Sequence, residues 1–259
     1  MSAPFPRRPD EPLESLAGAP ADPVLDIAVS HALLDRVAAG ERRDALRIFL
    51  PAPTVALGRL DALRPGFARA CAVASDLGFT PVLRSVGGHA AVFDSRSVVV
   101  EHFTHERDAT AGLQARFEDQ SRRVRSALAS FGADARIGQL AGEYCAGEHS
   151  VNVGGRVKVA GIAQRVVRHG AMTSAIAVVT GGPELRSAIE AVYAALELPV
   201  DVATAGALDE EVAGVTVDAV AARLEAAYGE LEPRELDAEL LAAARALVPR
   251  HRVPVRSPA

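Results

Sequence analysis

The sequence predicts an α+β domain: a mixed β-sheet core flanked by helices, followed by a small helical region at the C-terminal end. Two observations carry this expectation. Between residues 23 and 180, segments of helical and strand periodicity alternate along the chain, and from about residue 182 Ala/Leu-rich helical patterns take over. Expected boundaries are a disordered lead-in over 1–22, a catalytic-type domain over 23–208 and a helical extension over 209–259.

The elements follow in order. "PVLDIAVSHALLDRVAAG", from Pro23, places Leu25, Ile27, Ala28, Leu33, Leu34 and Val37 near helical spacing, with Gly40 at its end. "ALRIFLPAPTVALGRL" reads as two strands split by a Pro-Ala-Pro turn. "PGFARACAVASDLGF" reads as a helix of small residues, "TPVLRS" as a strand, and "VGGHAAVFD" as a glycine turn entering another strand, with "SVVVEHFTH" after it. Residues 111–131 carry a helical stripe of Leu113, Phe117, Val124, Leu128 and Phe131. The strand patterns "ARIGQL", "HSVNVGGRVKVAGIAQRVV" and "AMTSAIAVV" come next, the middle one a hairpin turning at Gly154 and Gly155. Helices are expected over "GGPELRSAIEAVYAALEL", with Pro183 in the first turn, then "TVDAVAARLEAAYGEL" and "PRELDAELLAAARALV".

Composition excludes several classes. With 49% hydrophobic and 24% charged residues, the chain can bury a sizeable core. A net charge of −5 and the absence of tryptophan provide neither a basic face for nucleic acid nor a base-stacking platform. No apolar run reaches the roughly 20 residues of a membrane span. The segment "MSAPFPRRPDEPLESLAGAPADP" lacks the apolar core of a signal peptide and reads as disordered; the basic C-terminal end reads as frayed. A cytoplasmic location is expected, because two cysteines make no disulfide framework.

One exception stands out: of 28 basic residues, 27 are arginine, and only Lys158 is lysine. The two differ where a compact ammonium is required rather than a flat guanidinium fork. Thirteen residues earlier, Cys145 lies in the polar, glycine-bracketed loop "GEYCAGEH", whereas Cys71 in "FARACAVAS" reads as a small core residue. A cation or an imidazole beside Cys145 would favour its thiolate, and Lys158, across the hairpin, and His149 are both candidates. In "RSVGGHAAVFD", Gly87 and Gly88 permit close backbone approach to a ligand; Arg84 is suited to an anion and His89 to a hydrogen bond. No Walker, Rossmann or Gly-x-Ser-x-Gly pattern occurs, and no metal-ligand spacing.

"VLRSVGGHAAVFD" together with "YCAGEHSVNVGGRVKVAGIAQRVV" resembles the biotin/lipoate protein ligase and octanoyltransferase family. The family pattern of Arg-x-x-Gly-Gly followed by Gly-Arg-Lys-x-x-Gly-x-Ala/Ser-Gln-Arg is met at Arg84–Gly88 and Gly155–Arg165, with one extra valine, Val157, before the lysine. The resemblance implies a class II synthetase or biotinyl-lipoyl ligase-like fold. The "YCAGEH" loop resembles the cysteine-dependent amidotransferase branch. Its members move an octanoyl or lipoyl group from the glycine cleavage H protein to lipoyl domains of 2-oxoacid dehydrogenase E2 subunits; a sister branch takes octanoate from acyl carrier protein. It further implies Cys145 as the acyl-accepting nucleophile and Lys158 as the contact to the acyl carbonyl, with Arg84, Gly87, Gly88, His89, Gly161 and Ala163 as substrate-binding positions. No cofactor is then required; the alternatives are an ATP-dependent lipoate-protein ligase, which alone would need ATP and Mg, and a non-catalytic family member that only binds an acyl carrier. Two departures matter: Ser95-Arg96-Ser97-Val98-Val99 replaces the Gly-Val-Leu-Asn expected after Asp94, counting against an adenylate site, and His89 makes the acyl pocket narrower or more polar.

Overall fold

The computed structural model describes residues 12–253. Its elements are β1 (Leu13–Ala17), α1 (Pro23–Ala38), β2 (Ala45–Phe49), β3 (Thr54–Leu57), α2 (Phe67–Asp76), β4 (Thr80–Leu83), β5 (Ala91–Phe93), β6 (Ser97–His105), α3 (Leu113–Ala129), β7 (Ala135–Ile137), β8 (Val151–Val153), β9 (Val157–Val167), β10 (Gly170–Val178), α4 (Gly182–Leu196), α5 (Val217–Ala226), β11 (Leu231–Glu235) and α6 (Ala238–His251). Local chemistry starts several of them. Asp22 caps α1 by accepting from the Val24 N–H at 2.9 Å, with Pro23 in the first turn. Gly154 and Gly155, both at positive φ, turn the β8–β9 hairpin.

Eight strands form one mixed sheet in the order β11-β1-β2-β6-β10-β9-β8-β7, and β4-β3-β5 form a second, smaller one. The central strands are buried on both faces, so β6 carries the run Ser97-Val98-Val99-Val100-Glu101 without polar alternation. Val98 and Val100 pack with Val124 and Leu128 of α3 and with Val220 and Leu224 of α5. On the opposite face, Phe103 and Met172 pack under α1 and α6. Strand register on that face sets the geometry of the site: Phe49, Val99, Ile176 and Gly161 lie in one row across β2, β6, β10 and β9, and Arg47, Glu101, Ser174 and Ala163 in the next.

Two expectations are corrected. The disordered lead-in placed over 1–22 does not hold for Leu13–Ala17. Leu13 and Leu16 are buried, and β1 pairs in parallel with both β2 and β11; residues 1–11 lie outside the described residues, as do 254–259 of the expected frayed end. The segment from Pro233 is not a single helix either. Pro233 sits in β11 on the edge of the large sheet, where a missing N–H is tolerated, and α6 begins only after Asp237 caps Leu240. Residues 209–253 therefore complete the same sheet and its two helical layers, rather than forming a purely helical extension.

The C-terminal end of α6 is held by a chain of imidazoles. His251 Nδ1 donates to the Leu83 carbonyl at 2.8 Å, its Nε2 faces His31 Nδ1 at 2.9 Å, and His31 Nε2 accepts from Arg165 at 3.2 Å. Burial, then the positive charges of Arg165, His251, Arg250 and Arg59, lowers the pKa of His31 to about 4 despite Asp35 at 3.8 Å. Burial likewise lowers that of His251. Both rings are thus neutral in the folded state, whereas in the unfolded chain they take up protons near pH 6.5. Their contribution is complete above that pH and is lost as pH falls toward about 4. Asp26 and Glu101, whose pKa values burial raises, act in the opposite direction, so the test is a difference. The gap in thermal midpoint between the parent protein and His251→Asn should be widest above pH 6.5 and shrink steadily in acid; a gap independent of pH would contradict the imidazole chain.

Candidate active site

Lys158 enters from β9 and is 1% exposed. Its ammonium donates to Glu143 Oε1 at 3.0 Å, to the Tyr144 carbonyl at 2.9 Å and to the Cys145 carbonyl at 2.9 Å, which uses all three N–H groups. The Tyr144 ring lies 4.7 Å from the same nitrogen. Glu143 is as deeply buried, and its Oε1 also accepts from the Ser150 hydroxyl at 2.6 Å and the Gly147 N–H at 3.1 Å; Oε2 accepts from Leu140 N–H at 2.9 Å. The lone lysine is thus the hub of the cysteine loop. Three acceptors converging on one nitrogen suit an ammonium, and a planar fork cannot serve them.

Cys145 sits in the left-handed region at φ 41°, where a non-glycine residue is held at some cost. Both of its backbone groups are pinned. Its carbonyl accepts from Lys158, and its N–H donates to Tyr193 Oη at 2.6 Å; that hydroxyl in turn donates to the Ala90 carbonyl at 2.9 Å. Tyr193 of α4 therefore couples the cysteine loop to the end of the glycine turn. Arg84 Nη2 lies 3.4 Å from the sulfur and also donates to the Gly87 carbonyl. The arginine is 6% exposed, its Nε has no partner, and no carboxylate among the described residues pairs with it. A buried, unpaired guanidinium calls for an anion, and the nearest group able to become one is the Cys145 thiol.

Gly88, at φ 99°, explains the glycine turn: a Cβ there would lie 2.8 Å from the sulfur and 2.1 Å from Arg84 Nη2. Behind Cys145 a narrow cavity of about 70 Å³ runs between the large sheet and the small one, lined near the cysteine by Arg84, Lys158, Gly161 and Ala163 and farther in by Phe49, Ile176 and Glu101. In front lies a wider cavity of about 370 Å³, bordered by Gly87, Gly88, Phe117, His149 and Ala163. Cys145 lines both.

Most of the residues singled out in the sequence therefore converge. Gly87 and Gly88 border the outer opening rather than the inner pocket. His89 is turned toward Asp61, 2.7 Å away, and borders neither cavity. His149 stacks on Phe117 with ring centroids 5.0 Å apart, so of the charged or imidazole groups considered it is Arg84 that meets the sulfur. Lys158 lines the inner cavity, but its donors are all engaged with the loop. Sequence reasoning missed Glu143 and Tyr193; the "GEY" preceding the cysteine is the only signal that could have pointed to the former. Cys71 is half-buried at the edge of the core rather than within it, and burial pushes its thiol up to about 11. Among the described residues no group of His, Cys, Asp or Glu is arranged to hold a metal, and no helix is long and apolar enough to cross a membrane.

Comparison with known proteins identifies the family. The lipoyl protein ligase A/B catalytic domain matches residues 22–229. An octanoyl-[GcvH]:protein N-octanoyltransferase of Geobacillus kaustophilus is 31% identical over 160 residues, 62% of this chain and 56% of that protein. One of Exiguobacterium sibiricum is 31% identical over 143 residues, 55% of this chain and 52% of that one. The chain thus matches about half the length of these curated relatives. Among solved structures, protein Ta0514 of T. acidophilum with bound lipoic acid superposes with a TM-score of 0.75 at 16% identity, covering 93% of this chain and 95% of that one. Lipoate-protein ligase A bound with ATP gives 0.72 at 16% over the same shares. At such identities the structures establish the fold alone; the match over residues 22–229 goes further, and the chain belongs to the lipoyl protein ligase A/B catalytic domain family.

Proposed function

We propose that the protein is a cysteine-dependent acyltransferase that moves an octanoyl or lipoyl group through a Cys145 thioester onto the lysine of a lipoyl domain. The observation that carries this reading is the sulfur placed 3.4 Å from a buried, unpaired Arg84, at the head of a narrow, largely apolar cavity. An acyl chain threaded into that cavity presents its carbonyl at Cys145. The thiolate attacks, and the carbon–sulfur bond forms as the donor's carbon–nitrogen or carbon–sulfur bond breaks; the thiol proton leaves with the donor's amine or thiol. The Arg84 guanidinium faces the developing oxyanion, a contribution on the order of 3 kcal/mol for a preorganised donor in a dry site. In the second half-reaction the target lysine amine attacks the thioester and regenerates Cys145, giving ping-pong kinetics.

In this scheme Lys158 positions the nucleophile, and the carbonyl contact that the resemblance implies for it falls instead to Arg84. The donor arrives already acylated, so no ATP step is needed. The curated relatives are named for octanoyl-GcvH, and a bipartite T. acidophilum ligase is described with its E2 lipoyl domain; glycine cleavage H protein and E2 lipoyl domains are accordingly the partners proposed here, with acyl carrier protein as a further donor to test. In this reading the carrier lysine enters through the wide outer opening beside Cys145.

Intact-protein mass spectrometry should show an octanoyl adduct on the parent protein after incubation with octanoylated H protein or octanoyl carrier protein, and none after incubation with octanoate and ATP. Cys145→Ser should lose the adduct and lower turnover by about three orders of magnitude or more. Acyl-adenylate formed equally by both proteins would instead identify a ligase. Lys158→Arg should retain less than about a hundredth of the activity, because displacing a reacting atom by an ångström costs about that much. Tyr193→Phe should lower kcat more than KM, with little change in melting temperature. Glu143→Gln, which strands a buried ammonium, should cost about 3–5 kcal/mol in urea unfolding.

A further inference from the structure

The inner cavity is not lined by hydrocarbon alone. Its wall carries Asp26 of α1, Glu101 of β6 and Ser174 of β10, which are 6%, 4% and 9% exposed. Behind them, Arg47 of β2 is fully buried and donates to Asp26 Oδ1 at 2.7 Å, to Glu101 Oε2 at 3.2 Å and to Ser30 Oγ at 2.6 Å; the Ser30 hydroxyl donates to the same Glu101 oxygen at 2.6 Å. One arginine thus serves two carboxyl groups and ties α1 to the sheet.

A purely structural tie would consume all of these polar atoms, and this one does not. Among the described residues nothing donates to Asp26 Oδ2 or to Glu101 Oε1, and Ser174 Oγ makes no hydrogen bond. Three buried polar residues on neighbouring elements therefore hold unused hydrogen-bonding atoms at the wall of one cavity. Buried polar atoms are almost always satisfied, by protein, water or ligand. A saturated alkyl end reaching this wall would displace water without replacing its hydrogen bonds, which loses affinity.

We propose that this polar wall of the inner cavity selects an acyl group whose far end carries a hydrogen-bonding hydroxyl or thiol, in preference to a plain alkyl chain of the same length. The proposal rests on the acyl-transfer reading for the chemistry at Cys145, but the selection itself is a binding property. A hydroxyl suits the wall in either protonation state, because it donates to an ionised carboxylate and accepts from a protonated carboxyl. Glu101 and Ser174 face each other in register across β6 and β10, and Arg47 links Glu101 to Asp26 on α1, so the three present their free atoms to one cavity.

The test is calorimetric binding of octanoate and of its ω-hydroxy analogue as free acids, to the parent protein, Ser174→Ala and Glu101→Gln. The hydroxy acid should bind about tenfold more tightly to the parent protein, the value of one hydrogen bond to a charged group, and each variant should narrow that ratio several-fold. Ser174→Ala removes one oxygen outside the Arg47 network and keeps the comparison sound if Glu101→Gln unfolds. Equal or tighter binding of octanoate by the parent protein, or a ratio unmoved by Ser174→Ala, overturns the proposal. Mass spectrometry of Cys145 with the two corresponding thioesters is read separately. Selective binding with no adduct from either donor would sink the transfer reading and leave this one standing; an adduct without selectivity would do the reverse.

Discussion

The site depends on one buried ammonium. Lys158 and Glu143 are both withdrawn from water, and separating such a pair is strongly unfavourable because it leaves a charge in low dielectric. That cost is what fixes the cysteine loop. The ammonium spends its remaining two donors on the carbonyls of Tyr144 and Cys145, so the loop cannot move without exposing or stranding it. With Tyr193 on the opposite backbone group, Cys145 is held in a left-handed conformation that it would not otherwise prefer, and its sulfur is presented where the two cavities meet.

Three buried cations divide the work according to how their charges are balanced. Lys158 is saturated, which makes it a support. Arg84 has no carboxylate partner, so its charge remains available to a thiolate or an oxyanion. Arg47 is shared between two carboxyl groups that line the cavity. Burial lifts the pKa of both Asp26 and Glu101 against the pull of Arg47. The same residue type thus does different chemistry in and behind the wall of one cavity, and only the hydrogen bonds around each charge distinguish them.

Much of this was legible in the sequence. The strand and helix patterns from Pro23 to Leu196 correspond to observed elements, because their apolar spacing is strong and glycine or proline punctuates them. Lys158 and Cys145 could be singled out by residue type and loop composition, and they do meet. The rest needed three dimensions. Leu13–Ala17 is too short and too mixed to read as a strand, and it becomes one only because β2 and β11 offer it two ladders. Pro233 masked a strand at a sheet edge. Asp26, Arg47 and Glu101 each interrupt an apolar run, but sequence separation hid the fact that they converge. The role of Arg84 was equally hidden, since contact with the sulfur spans 61 residues.

The glycine turn shows why a motif's residues and its physical reason must be argued separately. Paired glycines after a strand suggest a backbone cradle for an anion. Here Gly87 gives its carbonyl to Arg84 and so helps to orient the guanidinium, while Gly88 makes room where sulfur and guanidinium meet. Gly58 extends the same constraint one layer down, because a Cβ there would collide with the Gly88 carbonyl. The glycines are needed because a nucleophile, a cation and a tight turn occupy one small volume. Any side chain at Gly88 would push Arg84 from the sulfur before it touched a substrate, so the turn acts on the reaction through the charge that it positions.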